Sequence, residues 1–172
     1  MKKKLLFLSF MLTCFISFAQ FELRKTSTDE LIADGSTISF NESGSSFGAD
    51  YNWKFKVINT SATDIYMKIF VDNMTNTDGT NFQLCFANVC LNSISTGSGY
   101  PNTAALITPG ETNVAGNSLW NQHPTGTLDA MSWTFRYQAF DAAGNEIGTP
   151  LSMTYNYNII YLQKTLKDLK KK

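Results

Sequence analysis

Two cysteines close together in the sequence, Cys85 and Cys90, carry its most reactive side chains. If Ala87-Asn88 forms a two-residue turn, Cys85 lies directly opposite Cys90 in an antiparallel hairpin, at a non-hydrogen-bonded position with Cα atoms about 4.5 Å apart. A disulfide accepts that distance. We therefore predict a disulfide that pins this hairpin. A redox switch and a metal clip are the alternatives, although the sequence offers a metal no further ligands here.

An oxygen-rich segment, residues 72–81, is the second candidate for chemistry. Asp72, Asn76 and Asp78 supply side-chain oxygens, the ligands that calcium prefers, and Gly79 allows a tight turn. The spacing differs from that of an EF-hand loop, and no glutamate occupies the closing position. We favour a turn held by Asx hydrogen bonds over a calcium site. Calcium is therefore the one cofactor candidate, and we expect no other.

The third candidate is the segment around Trp120 and His123, where an aromatic ring and an imidazole stand beside a polar loop. Trp53 and Trp133 alternate in phase with apolar residues, so we expect both in the core. Trp120 does not, and we expect it to be exposed. An exposed tryptophan can stack on a sugar ring, which makes Trp120 and His123 candidate ligand-binding residues.

Catalytic motifs are missing from the sequence. One histidine and two bonded cysteines do not make the usual zinc site, and no serine or cysteine stands in a recognised nucleophile motif. Paired carboxylates can hydrolyse glycosides, but spacing along the chain does not show which ones converge. We predict that the protein is not an enzyme.

Strands must position these residues, because apolar and polar side chains alternate with a period of two. Residues 51–58 and 65–72 show the clearest alternation and predict a long hairpin, and residues 131–139 and 151–162 predict a second one, turning at Asp141–Asn145. Shorter strands are predicted at 22–26, 36–41, 81–86, 89–93, 104–108 and 113–120, with a surface loop at 96–103. Short strands at regular spacing, with no helical period, predict an all-β, immunoglobulin-like antiparallel β-sandwich over residues 20–162.

The first nineteen residues have the pattern of a secretory signal peptide. A basic start, Lys2–Lys4, precedes an apolar run, and small side chains at Ser17 and Ala19 place cleavage before Gln20. Acylation at Cys14 is an alternative, but Thr13 is larger than the residue that such sites favour before the cysteine. Cleavage removes Cys14 and leaves Cys85 and Cys90 as the only pair.

The remaining chain has an uneven distribution of charge. Residues Gln20–Leu162 contain 6 basic and 13 acidic residues, whereas the tail Gln163–Lys172 contains 5 lysines and 1 aspartate. An acidic domain of this kind argues against nucleic-acid binding, which needs a concentrated basic face. The tail fits either a short amphipathic helix or a solvated end. We expect no transmembrane segment after the signal peptide.

Four segments together resemble a known family of exported domains. They are Phe18–Gln20, Asn81–Cys90, Ile107–Thr112 and Phe140–Gly148. The sequence resembles the immunoglobulin-like β-sandwich domains that accompany the C-terminal sorting domain of the type IX secretion system. Such proteins usually continue into that sorting domain, whereas this sequence ends at Lys172, so periplasmic residence, release and a truncated product are alternatives to surface delivery.

The resemblance implies a noncatalytic, adhesion-like module that is secreted or held in the cell envelope. Its expected partner is an envelope or extracellular protein, or a glycan. The alternative function is a carbohydrate-binding module that uses exposed aromatic side chains near Trp120.

Overall fold

The computed structural model describes residues 20–114, 116–124 and 130–158, so the predicted signal peptide and the lysine-rich tail lie outside the described residues. The described chain contains eleven strands and no helix. The strands are β1 (Phe21–Lys25), β2 (Ser36–Phe40), β3 (Asn52–Asn59), β4 (Ile65–Thr75), β5 (Thr80–Phe86), β6 (Val89–Ser93), β7 (Gly99–Ile107), β8 (Thr112–Asn113), β9 (Ser118–Asn121), β10 (Met131–Phe140) and β11 (Glu146–Tyr157).

The strands form two sheets that pack face to face. The first sheet has the order β1-β3-β9-β5-β6, with β8 beside β3, and the second has the order β2-β11-β10-β4-β7. All pairs are antiparallel except β2 with β11. The central orders match the two sheets of an immunoglobulin domain. The predicted all-β sandwich is therefore confirmed.

Aromatic side chains from both sheets fill the space between them. Phe82 of β5 lies with its ring centre 4.4 Å from that of Trp133 on β10 and 5.2 Å from that of Tyr155 on β11. Trp53 and Trp133 are both buried, as the alternation predicted. Large aromatic rings bury the most apolar area per residue, so this cluster holds the sheets together.

The predicted hairpin between residues 51–58 and 65–72 is wrong. β3 belongs to the first sheet and β4 to the second, and the chain crosses between the sheets after Asn59. The buried Asn59 amide donates hydrogen bonds to the carbonyls of Thr63 and Ile107, and its Oδ1 accepts one from the Ser61 backbone. Alternation shows that one face of a strand is buried, but it does not select the neighbouring strand.

The predicted hairpin near the C-terminal end is confirmed, because β10 pairs with β11 through the turn at Asp141–Asn145. Other boundaries differ. β11 starts at Glu146 rather than near 151, and β7 includes residues 99–103, which we expected in a loop. The predicted strand 113–120 is two strands, β8 and β9, because Gly116 between them has a φ of 68°.

Candidate functional site

Trp120 lies on the outer side of the first sheet and is covered by the chain itself. Its neighbour Leu119 points into the core, so Trp120 points away from it. The loop 41–51, between β2 and β3, crosses this outer side. The Trp120 indole N–H donates to the carbonyl of Gly44 at 2.9 Å, and the Gly44 N–H donates to the carbonyl of Asn121 at 3.1 Å. The prediction that Trp120 is exposed is wrong, since only 7% of it is accessible.

The same loop presents a different aromatic ring to solvent. Phe47 is 69% exposed, more than any other large hydrophobic side chain in the described chain. Its ring meets that of Trp120 edge-on, with centres 5.9 Å apart, and the Lys54 ammonium lies 4.8 Å from its centre. Asn52 anchors the Phe47 backbone by donating from its amide nitrogen to the Phe47 carbonyl at 2.8 Å. Phe47 is thus exposed but held in place.

A groove of about 370 Å³ runs from Phe47 to the disulfide along this side of the sheet. Apolar parts of its wall come from Phe47 and Val114, and polar parts come from Asn52, Lys54, Gln83, Asn117 and Ser118. We call this surface, from Phe47 across the groove to the Cys85–Cys90 hairpin, the Phe47 face. A groove that combines apolar walls with a few polar groups has the character of a recognition site.

Asn52 lies where the Phe47 face meets a second pocket, of about 490 Å³, on the other side of the loop. Its side chain is 5% exposed, and its Oδ1 has no hydrogen-bond partner among the described residues. Asn52, the first residue of β3, therefore holds the Phe47 backbone through its amide nitrogen, while its Oδ1 makes no hydrogen bond within the described residues.

The disulfide hairpin borders the Phe47 face and has the predicted geometry. Ala87 and Asn88 form the two-residue turn, with φ of 50° and 66°, and Phe86 pairs with Val89. Cys85 pairs with Cys90, the two are bonded, and their Cα atoms are 4.0 Å apart. This prediction is confirmed.

A second contact ties the hairpin to the rest of the sheet. Asn117, directly before β9, accepts a hydrogen bond from the Ala87 N–H at 2.9 Å. Its amide nitrogen donates to the carbonyl of Asn113 at 2.9 Å. The end of the hairpin is therefore fixed against the rim of the groove.

The three candidate calcium ligands do not form a cluster. Asp72 lies within β4 and pairs with Arg136, Nε to Oδ2 3.2 Å. Three residues of strand, Asn73–Thr75, lie between it and Asn76, and an extended spacing of about 13 Å is too far for both to bind one ion. Asn76 instead donates to the carbonyl of Ala130 at 2.8 Å. No group of three or more His, Cys, Asp or Glu in the described ranges is arranged to hold a metal.

Asp78 forms the Asx turn that was the alternative to calcium binding. Its Oδ1 accepts hydrogen bonds from the hydroxyl of Thr80 at 2.7 Å and from the Thr80 N–H at 2.9 Å. These bonds, and more weakly the nearby His123, lower the pKa of Asp78. His123 is partly buried and lines neither pocket of the loop. The structure therefore does not bring His123 to the Phe47 face.

The remaining shifted pKa values have structural causes. Burial raises the pKa of Tyr137 and Tyr155 above the ordinary value, and the Tyr155 hydroxyl donates to the carbonyl of Tyr51 at 2.6 Å. Hydrogen bonding to Lys56 lowers the pKa of Asp29, and hydrogen bonding to Asn145 lowers that of Asp141. None of these groups lines the Phe47 face. The lining of the face therefore offers a ligand apolar contacts and hydrogen bonds rather than a group with a shifted pKa.

Sequence reasoning missed Phe47, the central residue of this surface. Its signal was present, because Phe47 is a lone aromatic residue in the polar, glycine-containing segment 41–50. Such a segment predicts a loop, and a large apolar side chain in a loop has no strand to bury it. The sequence pattern favours Trp120 instead, and the same loop covers that residue.

Comparison with known proteins gives a distant likeness to a solved structure. No family model matches the sequence, and no curated protein matches it. Among solved structures, the chain is similar to one described as the structure of the N-terminal domain of PorA, with 18% identity and a TM-score of 0.46, over 81% of this chain and 98% of that chain. A likeness at this level does not identify a function. The described residues contain no helix of the length and apolarity that a membrane crossing requires.

Proposed function

We propose that this protein is a noncatalytic β-sandwich module that acts outside the cytoplasm and binds a protein partner through the Phe47 face. The observation that carries the proposal is Phe47 itself, which is 69% exposed yet fixed by Trp120, Lys54 and Asn52. An aromatic side chain held in its binding position loses little entropy when a partner covers it. Such side chains dominate the energetics of protein interfaces.

A second exposed apolar side chain lies on the same surface. The described chain exposes five large hydrophobic side chains, and two of them, Phe47 and Val114, line the groove. Val89 does not add to this surface, because it pairs with the buried Phe86 and therefore points to the opposite face of the sheet from Cys85 and Cys90. Exposed apolar side chains that cluster, rather than scatter, mark interaction surfaces.

Two features support a site of action beyond the cytoplasm. The Cys85–Cys90 disulfide is typical of proteins from oxidising compartments. The segments that resemble domains of type IX secretion proteins add delivery by that system to the proposal. Fractionation of cells with and without a working type IX system tests that part separately: the protein should leave the periplasm only in the former.

The binding proposal is tested by quantitative co-purification. The full chain, Phe47→Ser and Leu31→Ser would be produced in the cell that exports the protein and purified from intact envelopes. Leu31 is a matched control because it is also an exposed apolar residue, at 53%, and lines neither pocket of the Phe47 loop. We expect one co-purifying protein that is lost with Phe47→Ser and retained with Leu31→Ser. Equal recovery with both variants would contradict the proposal.

A glycan is the second candidate ligand, favoured by the polar groups beside Phe47. The amide side chain of Gln83 lines the groove, and Asn52 holds a buried acceptor that a sugar hydroxyl would satisfy after a small shift of the loop. Stacking on an aromatic ring combined with amide hydrogen bonds is a common mode of sugar recognition. Binding on a glycan array that disappears with Phe47→Ser, together with no co-purifying protein, would select this candidate.

A further inference from the structure

A separate groove of about 370 Å³ lies on the outer side of the second sheet. β4 contributes Tyr66, Lys68 and Phe70, which alternate with core residues and therefore point outward. Phe140, at the end of β10, and the turn that follows form the opposite wall. We call this the Lys68 groove. It shares no residue with the Phe47 face.

An irregularity in β7 shapes the groove. Met67 pairs with Ala105 and Ile69 pairs with Tyr100, so the four residues 101–104 of β7 lie opposite Lys68 alone. A bulge of this kind bends the strand and leaves its extra residues outside the ladder. Thr103 and Ala104 line the groove with small side chains. The space beside Lys68 is therefore a consequence of the strand register.

Close contacts hold the aromatic wall in place. The Arg136 guanidinium carbon lies 4.5 Å from the centre of the Phe70 ring, and the Phe140 ring lies 6.2 Å from it. Gly99 permits this position, because a Cβ there would lie 2.5 Å from a carbon of the Phe70 ring. The wall is thus formed before any ligand arrives.

Lys68 is the cation that this groove leaves unpaired. No ion pair involves Lys68 within the described ranges, whereas Arg136 pairs with Asp72 and Glu146. The groove's one carboxylate, Asp141, accepts three hydrogen bonds within its own turn, from the N–H groups of Ala143 and Asn145 and from the Asn145 amide. An apolar wall beside one unpaired ammonium complements a ligand that carries an apolar group next to a carboxylate.

We propose that the Lys68 groove binds an extended segment of a partner protein that has an aromatic and an acidic side chain two residues apart. In a strand, such side chains share one face with a spacing that matches Tyr66, Lys68 and Phe70. β7 lies at the edge of its sheet, so within the described strands the backbone of Ala105 and Leu106 beyond the bulge pairs on one side only. An extended peptide is therefore a better fit than a small free carboxylate, since it can also meet that edge.

The test is an NMR titration of the full chain with a capped pentapeptide, Thr-Phe-Thr-Asp-Thr, and with the same peptide carrying Asn in place of Asp. We expect the resonances of Tyr66, Phe70 and Phe140 to shift, with the acidic peptide binding about threefold tighter, as a partly exposed ion pair allows. Lys68→Met should remove that difference. Lys25→Met is the control, because Lys25 lies on β1 of the other sheet, and it should preserve the difference.

Three results would overturn the proposal. The first is the absence of shifts at the groove residues, and the second is equal binding of the two peptides to the unaltered protein. The third is binding of 3-phenylpropionate as tightly as the acidic peptide, which would assign the groove to a small carboxylate. The reporting residues Tyr66, Phe70 and Phe140 do not line the Phe47 face, so shifts at these residues concern the Lys68 groove.

Discussion

The outer faces of the two sheets differ, although the same alternation of side chains builds both inner faces. On the first sheet a loop covers Trp120 and exposes a single ring, Phe47. On the second sheet Tyr66, Phe70 and Phe140 line an open groove. The shape of the first face thus depends on the conformation of a loop, whereas the shape of the second face is set by strand register. The difference shows that a sandwich can acquire two surfaces of distinct chemistry without altering its core.

The largest expected difference in stability is between variants of a buried and of an exposed aromatic residue. Phe82→Ala removes a fully buried ring that packs on Trp133, so we expect unfolding to become easier by about 3–5 kcal/mol. Phe47→Ala changes an exposed ring and should alter stability by no more than about 0.5 kcal/mol. Urea denaturation of both variants measures the difference. Similar losses would mean that the Phe47 loop is part of the structural core.

The second largest expected loss of stability concerns Asn59, at the point where the chain crosses from one sheet to the other. Asn59→Ala leaves the carbonyl of Ile107 without its side-chain donor and removes the acceptor for Ser61, so we expect a loss of about 2–4 kcal/mol. Asn92→Ala is the control, because that amide is exposed and bonds only to Gln83 among the described residues. Denaturation midpoints of the two variants check this. A loss below that of Asn92→Ala would show that the crossing does not depend on Asn59.

The third effect is local to the border of the Phe47 face. Replacing both Cys85 and Cys90 by serine should lower stability by about 2 kcal/mol, since the bond closes a short loop. Hydrogen exchange should accelerate in β5 and β6 and change little in β10 and β11, which belong to the other sheet. Uniform acceleration across both sheets would instead assign the disulfide a role in the whole domain.

The smallest effect at neutral pH is expected for Tyr137→Phe. The Tyr137 hydroxyl contacts only the Met153 sulfur within the described chain, and burial raises its pKa in the folded state. Tyr137 therefore has a higher pKa in the folded than in the unfolded protein. Its contribution to stability is fully present below about pH 10, and it is lost as the pH rises further, because unfolding then releases the phenol proton. The variant should therefore match the unaltered protein near neutrality and lose less stability in alkali.

Tyr155→Phe is the companion measurement, because the Tyr155 hydroxyl donates to the carbonyl of Tyr51. Loss of this hydrogen bond should destabilise the protein by about 1 kcal/mol near neutral pH. The difference should shrink above about pH 10, because burial raises the pKa of Tyr155 as well. Denaturation at neutral and alkaline pH distinguishes the two variants. If the unaltered protein and the Tyr137→Phe variant lose the same amount of stability at alkaline pH, the role that we assign to the burial of Tyr137 is contradicted.

The sequence was informative wherever a local rule determines the outcome. Alternation placed Trp53 and Trp133 in the core, and a two-residue turn was enough to pair Cys85 with Cys90. Neither inference required knowledge of the distant chain. Strands with one buried face and hairpins with short turns follow from neighbouring residues alone.

The remaining features depend on contacts far apart in the sequence. Trp120 is buried by Gly44, which is 76 positions away, and Asn59 reaches Ile107 across 48 positions. The bulge in β7 depends on its register with β4. No local pattern reports such contacts, so the groove beside Phe47 and the Lys68 groove cannot be predicted from neighbouring residues, although the exposure of Phe47 can.

Photo-crosslinking in intact cells tests the central claim most directly. The full chain would carry benzoyl-phenylalanine at position 47 or, as the control, at position 31, an exposed apolar site that lines neither pocket of the Phe47 loop. If the Phe47 face binds a partner, illumination should give a discrete protein adduct from position 47 and none from position 31. An adduct from position 31 alone, or identical adduct patterns from both positions, would contradict the account.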